Sequence, residues 1–437
     1  MTATLSRRRL IVLIASLGAA ALAGSLAVVL LGSPGTPQAP ATGPVSAAGI
    51  ARLHAVEDLL RVRGAAIVHR DRAAFLSTLD PRARRFRHDQ ARTFAHLAPV
   101  PIATWTYSVS AVSRRPPPDA RGYHAPTWAP QYFALHYRLA GFDAKPTTLQ
   151  QYPTFAERGG HWYLASLSDY APNLVSATDI WDYGPVKVLR RPDVLVIGAP
   201  SRAATMSEVA RQVHAAIGQV SAVWGSRWSR RAVVLVPRTT RQMALIDDYP
   251  GDLSNLAALT SAEVSTTAGK PTPVGDRITI NPANWPMLSE VGAGVVIRHE
   301  LTHVATRAST GTQTPTWLSE GFADYVGFRT APVSVELAAS ALARRVRAGM
   351  VPVRLPSNRD FRSTNPLLAV HYEAAWLACR YIAEQFGQPA LVRFYRAVGT
   401  SPERGHDALV DALRDDLHLR LARFVAQWRG YVERVLG

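Results

Sequence analysis

The sequence predicts an α+β protein in three parts: an N-terminal transmembrane helix, a small unit of helices followed by strands, and a larger unit with a mixed sheet and a helical C-terminal part. Three observations lead there. An uncharged apolar run, Leu10 to Leu31, follows Ser6-Arg7-Arg8-Arg9. Aromatic and branched residues crowd four short segments between Thr104 and Leu167. From about Val333 to the end, apolar residues recur almost entirely at helical spacing.

The apolar run is 22 residues long. As a helix it reaches roughly 33 Å, enough to cross a hydrocarbon core of about 30 Å. Arginines ahead of it hold that end in the cytoplasm and export the rest, giving a single-pass cell-membrane protein. A cleaved signal peptide, and hence a secreted protein, is the competing reading. It fits less well, because the run is long and the nearest Ala-x-Ala, Ala39-Pro40-Ala41, lies well beyond it. Residues 1–32 thus read as a short tail and signal-anchor, and the charge-free residues 33–48 as a flexible linker.

At 437 residues the chain exceeds a typical single domain. Hydrophobic residues at 47% and charged residues at 19% exclude wholesale disorder. Only Lys145, Lys187 and Lys270 are lysines, so the net charge of +17 is nearly all arginine, dispersed from end to end. Such a surface attracts anionic lipid or an acidic wall polymer, although scattered arginine reads first as a compositional bias. No basic stripe interleaved with aromatics occurs, which excludes nucleic acid as a partner. The single cysteine, Cys379, rules out an internal disulfide and a cysteine zinc cage, and its apolar helical setting makes it a core residue.

Within residues 49–174, positions 50–69 have helical spacing and Arg72 to Leu79 reads as a second short helix ended by Asp80-Pro81. Strands follow at Thr104–Val112, Gln131–Leu139, Thr147–Phe155 and Trp162–Leu167, with Arg158-Gly159-Gly160 as a turn. This order, with Gly64-Ala-Ala-Ile-Val-His-Arg-Asp71 leading into the second helix, resembles the ketosteroid-isomerase-like cone fold over about residues 50–170. The resemblance implies a scaffold or partner-binding unit, since nothing there marks a catalytic acid or base. His124, His136 and His161 lack ligand spacing and receive no role.

Residues 175–437 form the second unit, with a soft boundary. Val186–Leu189, Asp193–Ile197 and Ala232–Val236 read as strands, and Thr205–Trp224 as a helix. Arg277–Asn281 is a short alternating strand before a long helix beginning near Glu290. That helix carries Val295-Val-Ile-Arg-His-Glu-Leu-Thr-His-Val304. His299 and His303 are four apart and project from one face, where two imidazoles reach one metal ion. Glu300 points slightly aside, placed to take a proton rather than to ligate. A catalytic zinc takes three protein ligands and keeps one open position. Sixteen residues intervene before Glu320, in Thr316-Trp-Leu-Ser-Glu-Gly-Phe-Ala-Asp-Tyr325, and Glu320 is the candidate third ligand. Asp324 lies one turn on, suited to accept a hydrogen bond from the far nitrogen of a ligating histidine.

These residues resemble the gluzincin branch of the zincins, most closely the peptidase MA-like families, with a His-Glu-x-x-His helix and then Trp-Leu-x-Glu-Gly-x-Ala. The specific part covers 295–325 and the looser likeness 185–437. It implies a zincin-type catalytic domain in which His299, His303 and Glu320 bind Zn2+, Glu300 is general base and acid, and Asp324 supports a histidine. It also implies an oxyanion donor on a later helix, Tyr372 or its neighbour His371, and a substrate-pairing strand at Arg277–Asn281. The expected function is zinc-dependent hydrolysis of peptide or protein substrates outside the cytoplasmic membrane. The alternatives are an exported zinc-binding scaffold without catalysis, and another zinc hydrolase acting on cell-wall peptides or an ester.

Overall fold

The computed structural model describes residues 46–114, 120–265, 272–403 and 405–437. The expected membrane anchor, residues 1–32, and nearly all of the linker lie outside the described residues. Among the described residues, no helix is long and apolar enough to cross a membrane.

The chain opens with α1 (Ala47–His69), α2 (Arg72–Ser77) and α3 (Arg84–His96). Ser46 starts α1 by accepting a hydrogen bond from Gly49 N at 3.2 Å, satisfying one of the unpaired amides of the first turn. The third helix went unread because it is strongly polar and buries only Phe94, so it shows no apolar stripe. Six strands follow: β1 (Ile102–Val109), β2 (Thr127–Trp128), β3 (Phe133–Leu139), β4 (Thr147–Gln150), β5 (Thr154–Arg158) and β6 (His161–Ser166). They make two three-stranded antiparallel sheets, ordered β1-β3-β4 and β2-β5-β6. The single strand expected over Thr147–Phe155 is therefore two strands in different sheets. Pro153 lies in the gap between them, and its missing N–H cannot continue a ladder. Helix α1 rests directly on β1 at Gly64, where a Cβ would come within 2.2 Å of Trp105 O.

The second unit begins with β7 (Lys187–Arg190), β8 (Val194–Gly198), α4 (Ala203–Trp224), β9 (Ala232–Val236), α5 (Thr240–Ile246), β10 (Ala258–Ser265) and β11 (Thr272–Ile280). Their five strands form one mixed sheet ordered β10-β11-β9-β8-β7, parallel at β8–β9 and β9–β11. Strands β8 and β9 are buried at every residue, because both faces of the sheet are covered. Val194, Val196, Val234 and Val236 join the core under α4. Leu195, Ile197, Val233 and Leu235 join Trp105, Tyr137 and Trp181 in the core of the first unit. The first unit thus roofs one face of the sheet.

The topology corrects the expectation that Arg277–Asn281 is the strand bordering the cleft. Residues 277–280 belong to β11, which is paired on both sides; the edge strand beside it is β10, and β7 forms the opposite edge. Helices fill the rest: α6 (Glu290–Thr306), α7 (Thr316–Phe328), α8 (Val335–Ala338), α9 (Ser340–Arg347), α10 (Leu368–Phe386), α11 (Gln388–Thr400), α12 (His406–Leu417) and α13 (Leu421–Leu436). From Gly292 to Thr306, α6 is buried on all sides. Helices α7 and α10 touch backbone to backbone at Gly321, where a Cβ would lie 2.2 Å from Ala375 O, and Cys379 packs in the same contact.

Candidate metal centre

Ser289 caps α6 by accepting from Gly292 N at 3.1 Å, and the helix then runs through His299 and His303 without interruption. One turn apart, the two imidazoles meet edge to face, with centroids 4.7 Å apart and planes at 72°. Their Nε2 atoms lie 3.0 Å apart, so both rings address one point. Helix α7 brings Glu320 to that point, with Oε2 3.5 Å from His299 Nε2 and 3.7 Å from His303 Nε2. The ligand atoms of these three buried residues all lie within 4.8 Å of one another, which makes them a possible metal-binding group.

Both oxygens of Glu320, and Oε1 of Glu300, are buried without a hydrogen-bond partner from the protein. Leaving carboxylate oxygens so stranded is costly, and a cation among them removes the cost. Asp324 Oδ1 lies 2.9 Å from His299 Nδ1. Accepting the Nδ1 proton fixes the tautomer and turns the Nε2 lone pair towards the shared point. Burial opposes a charge on His299, yet Asp324 and Glu320 outweigh it and push its pKa up to about 10. Burial raises the Asp324 carboxyl to about 6, against the pull of His299. Glu320 is also penalised by burial, but His303 and His299 hold its carboxyl below the ordinary range. The site therefore attracts positive charge.

Glu300 sits beside this group, wholly buried. Burial pushes its carboxyl above the ordinary range, while His299 and His303 draw it down. Thr260 Oγ1, from the edge strand β10, donates to Glu300 Oε2 at 2.6 Å and approaches Glu300 O at 3.2 Å. That threonine anchors one carboxylate oxygen and leaves Oε1 unpartnered. It carried no sequence signal, being one hydroxyl in an unremarkable strand.

Tyr372 and His371, adjacent on α10, separate. Tyr372 is buried against Phe361, ring centroids 4.8 Å apart and nearly perpendicular. Burial pushes its hydroxyl well above the ordinary range, with the Glu320, Asp324 and Glu300 carboxylates adding to the effect, so it remains a proton donor. His371 is only partly buried and faces Asp360, Nε2 to Oδ1 3.9 Å. Glu373 accepts from Ala341 N at 3.2 Å and Leu342 N at 2.5 Å, tying the start of α9 to α10. His136 is held between Ser108 Oγ at 2.8 Å and Thr148 Oγ1 at 3.0 Å, on a strand of the first unit's own sheet.

No family model matches the chain, and no curated protein matches it. Among solved structures it is similar to a mutant M1 zinc metallopeptidase from Deinococcus radiodurans, at 17% identity over 75% of this chain and 70% of that one, with a TM-score of 0.35. It is also similar to the same bacterium's mutant enzyme bound to a Tyr-Ser-Ala substrate, at 17% identity over 76% of this chain and 70% of that one, TM-score 0.33. Native yeast LTA4 hydrolase is 12% identical over 70% of this chain and 44% of its own length, TM-score 0.36.

Proposed function

We propose that this chain is a zinc-dependent peptidase that hydrolyses peptide bonds outside the cytoplasmic membrane. One observation carries the reading: two imidazoles and a carboxylate converge in a buried pocket beside a second carboxylate that a threonine holds by one oxygen. Two nitrogens and one oxygen suit Zn2+, whereas calcium and magnesium take oxygen alone. His299, His303 and Glu320 would hold it, leaving one position open. Zinc bound there supplies Lewis acidity and a water acidic enough to ionise near neutral pH.

Glu300 is the base: its free Oε1 takes the proton of the attacking water and returns it to the leaving amine. Tyr372 donates its hydroxyl to the developing oxyanion. Strand β10, paired on one side only among the described residues, offers backbone groups to an extended peptide. In this reading the apolar run Leu10–Leu31 anchors the enzyme with its cleft outside the cell, and the first unit, likened to a ketosteroid-isomerase-like cone, is a scaffold. A purely structural zinc is disfavoured, since it needs neither Glu300 nor an open position.

The test is metal analysis combined with cleavage of a broad peptide library. One zinc per chain with cleavage abolished by a chelator is the expected result; zinc without cleavage sinks the reading. Within it, Thr260→Val keeps the side-chain shape but frees Glu300 to rotate. Its kcat should fall about tenfold with zinc content unchanged, the usual scale for loosening a positioned base. An unaltered kcat would remove Thr260 from this role.

A further inference from the structure

We propose that the N-terminal α+β unit positions the catalytic base, acting through a buried latch between Asp143 and Arg277. Arg277 Nη1 and Nη2 donate to Asp143 Oδ1 and Oδ2, both at 2.8 Å, and Nη2 also reaches Thr147 Oγ1 at 3.3 Å. Both side chains are buried, at 7% and 3% exposure. Asp143 is itself held to the end of β3 by Leu139 N at 2.8 Å. The fork therefore joins the first unit to β11 of the sheet, and its two parallel bonds fix orientation as well as contact.

The neighbouring residues on β11 serve the same junction. Gly275 has φ +67°, and a Cβ there would meet Thr147 Oγ1 at 2.3 Å, so only glycine lets the first unit approach this closely. Asp276 Oδ1 accepts from Arg307 Nε at 2.9 Å, directly after the helix that carries His299 and His303. Across the ladder, Arg277 pairs with Ser261 and Ile278 with Thr260. Asp247 Oδ1 accepts from Ser261 at 2.8 Å and Thr279 at 3.0 Å, clasping β10 to β11.

Among the described residues β10 pairs in the sheet with β11 alone, so its ladder register follows that of β11. The route runs from Asp143 through Arg277 and the β11–β10 pairing to Thr260, and from Thr260 to Glu300. Stability alone does not call for a buried ion pair here, because an apolar pair of similar volume generally serves as well. Fixing where an edge strand lies does call for a directional contact. Asp143 and Arg277 are thus positioning residues, and the proposal rests on Glu300 being the base.

The experiment compares the zinc-loaded full chain with Asp143→Asn and with the double variant Asp143→Asn/Arg277→Gln, by hydrogen exchange, zinc content and steady-state kinetics. The double variant carries the test if the orphaned arginine stops the single one folding. Peptides covering β10 and β11 should exchange about tenfold faster, with one zinc retained and kcat down about tenfold at a KM within about twofold. Unchanged exchange at β10, or a rise spread evenly through α6 and α10, overturns the proposal. If the unmodified chain cleaves no peptide, the peptidase reading fails, while the exchange comparison still decides whether the latch governs β10.

Discussion

Glu300→Gln should keep its zinc and lose peptide cleavage by a factor of about 10²–10⁴, the range that a positioned general base supplies. The substitution preserves shape, and its amide oxygen can still accept the Thr260 hydroxyl now found 2.6 Å from Oε2. Neither histidine nor Glu320 depends on Glu300 for its orientation: Asp324 holds His299, and Glu320 comes from a different helix. What is lost is proton affinity at the unpartnered Oε1. An amide cannot take a proton from water near neutral pH, nor return one to an amine. Metal analysis beside single-turnover cleavage separates the two properties. Turnover within tenfold of the unmodified chain would leave the metal site standing and remove Glu300 as the base.

The convergence of His299, His303 and Glu320 was legible because its determinants are local. Four-residue spacing on a helix puts His299 and His303 on one face whatever the rest of the fold does, and the same spacing sets Asp324 one turn beyond Glu320. Thr260 was not legible. It reaches Glu300 across 40 positions of sequence, and nothing in Leu259-Thr260-Ser261 distinguishes that hydroxyl from a solvated one. Strand β10 went unread altogether, and its place at the sheet edge with it, because sheet order is a property of the assembled sheet and not of local alternation. Arg277 illustrates the limit: its charge is buried because Asp143, 134 positions earlier, folds over it. Strands β8 and β9 were legible as strands, but not that both faces of the sheet are covered, nor that the first unit supplies one of the covers. Pro153 was a different case, a break signal within a stretch otherwise rich enough in strand formers to read as continuous.

His303→Ala should do the reverse of Glu300→Gln, abolishing metal binding and with it the metal's contribution to stability. Two ligands remain, and a site with His299 and Glu320 alone lacks the third donor of a catalytic zinc. For the unmodified chain, zinc at about a thousandfold above its dissociation constant adds about 4 kcal/mol. In a chain of this size that corresponds to a melting temperature roughly 4–5 °C higher than in chelator. His303→Ala should melt at one temperature in both conditions, whereas Glu300→Gln should keep the full difference. The pH dependence follows the same logic. Without metal, burial opposes but Asp324 and Glu320 sustain a proton on His299 up to about pH 10. Zinc must displace that proton, so its affinity should strengthen as pH rises from neutrality towards that value, and weaken as pH falls. A competing chelator titrated at several pH values measures it. A His303→Ala variant that still bound zinc with undiminished affinity would mean that the two imidazoles, though they face one point, do not share one ion.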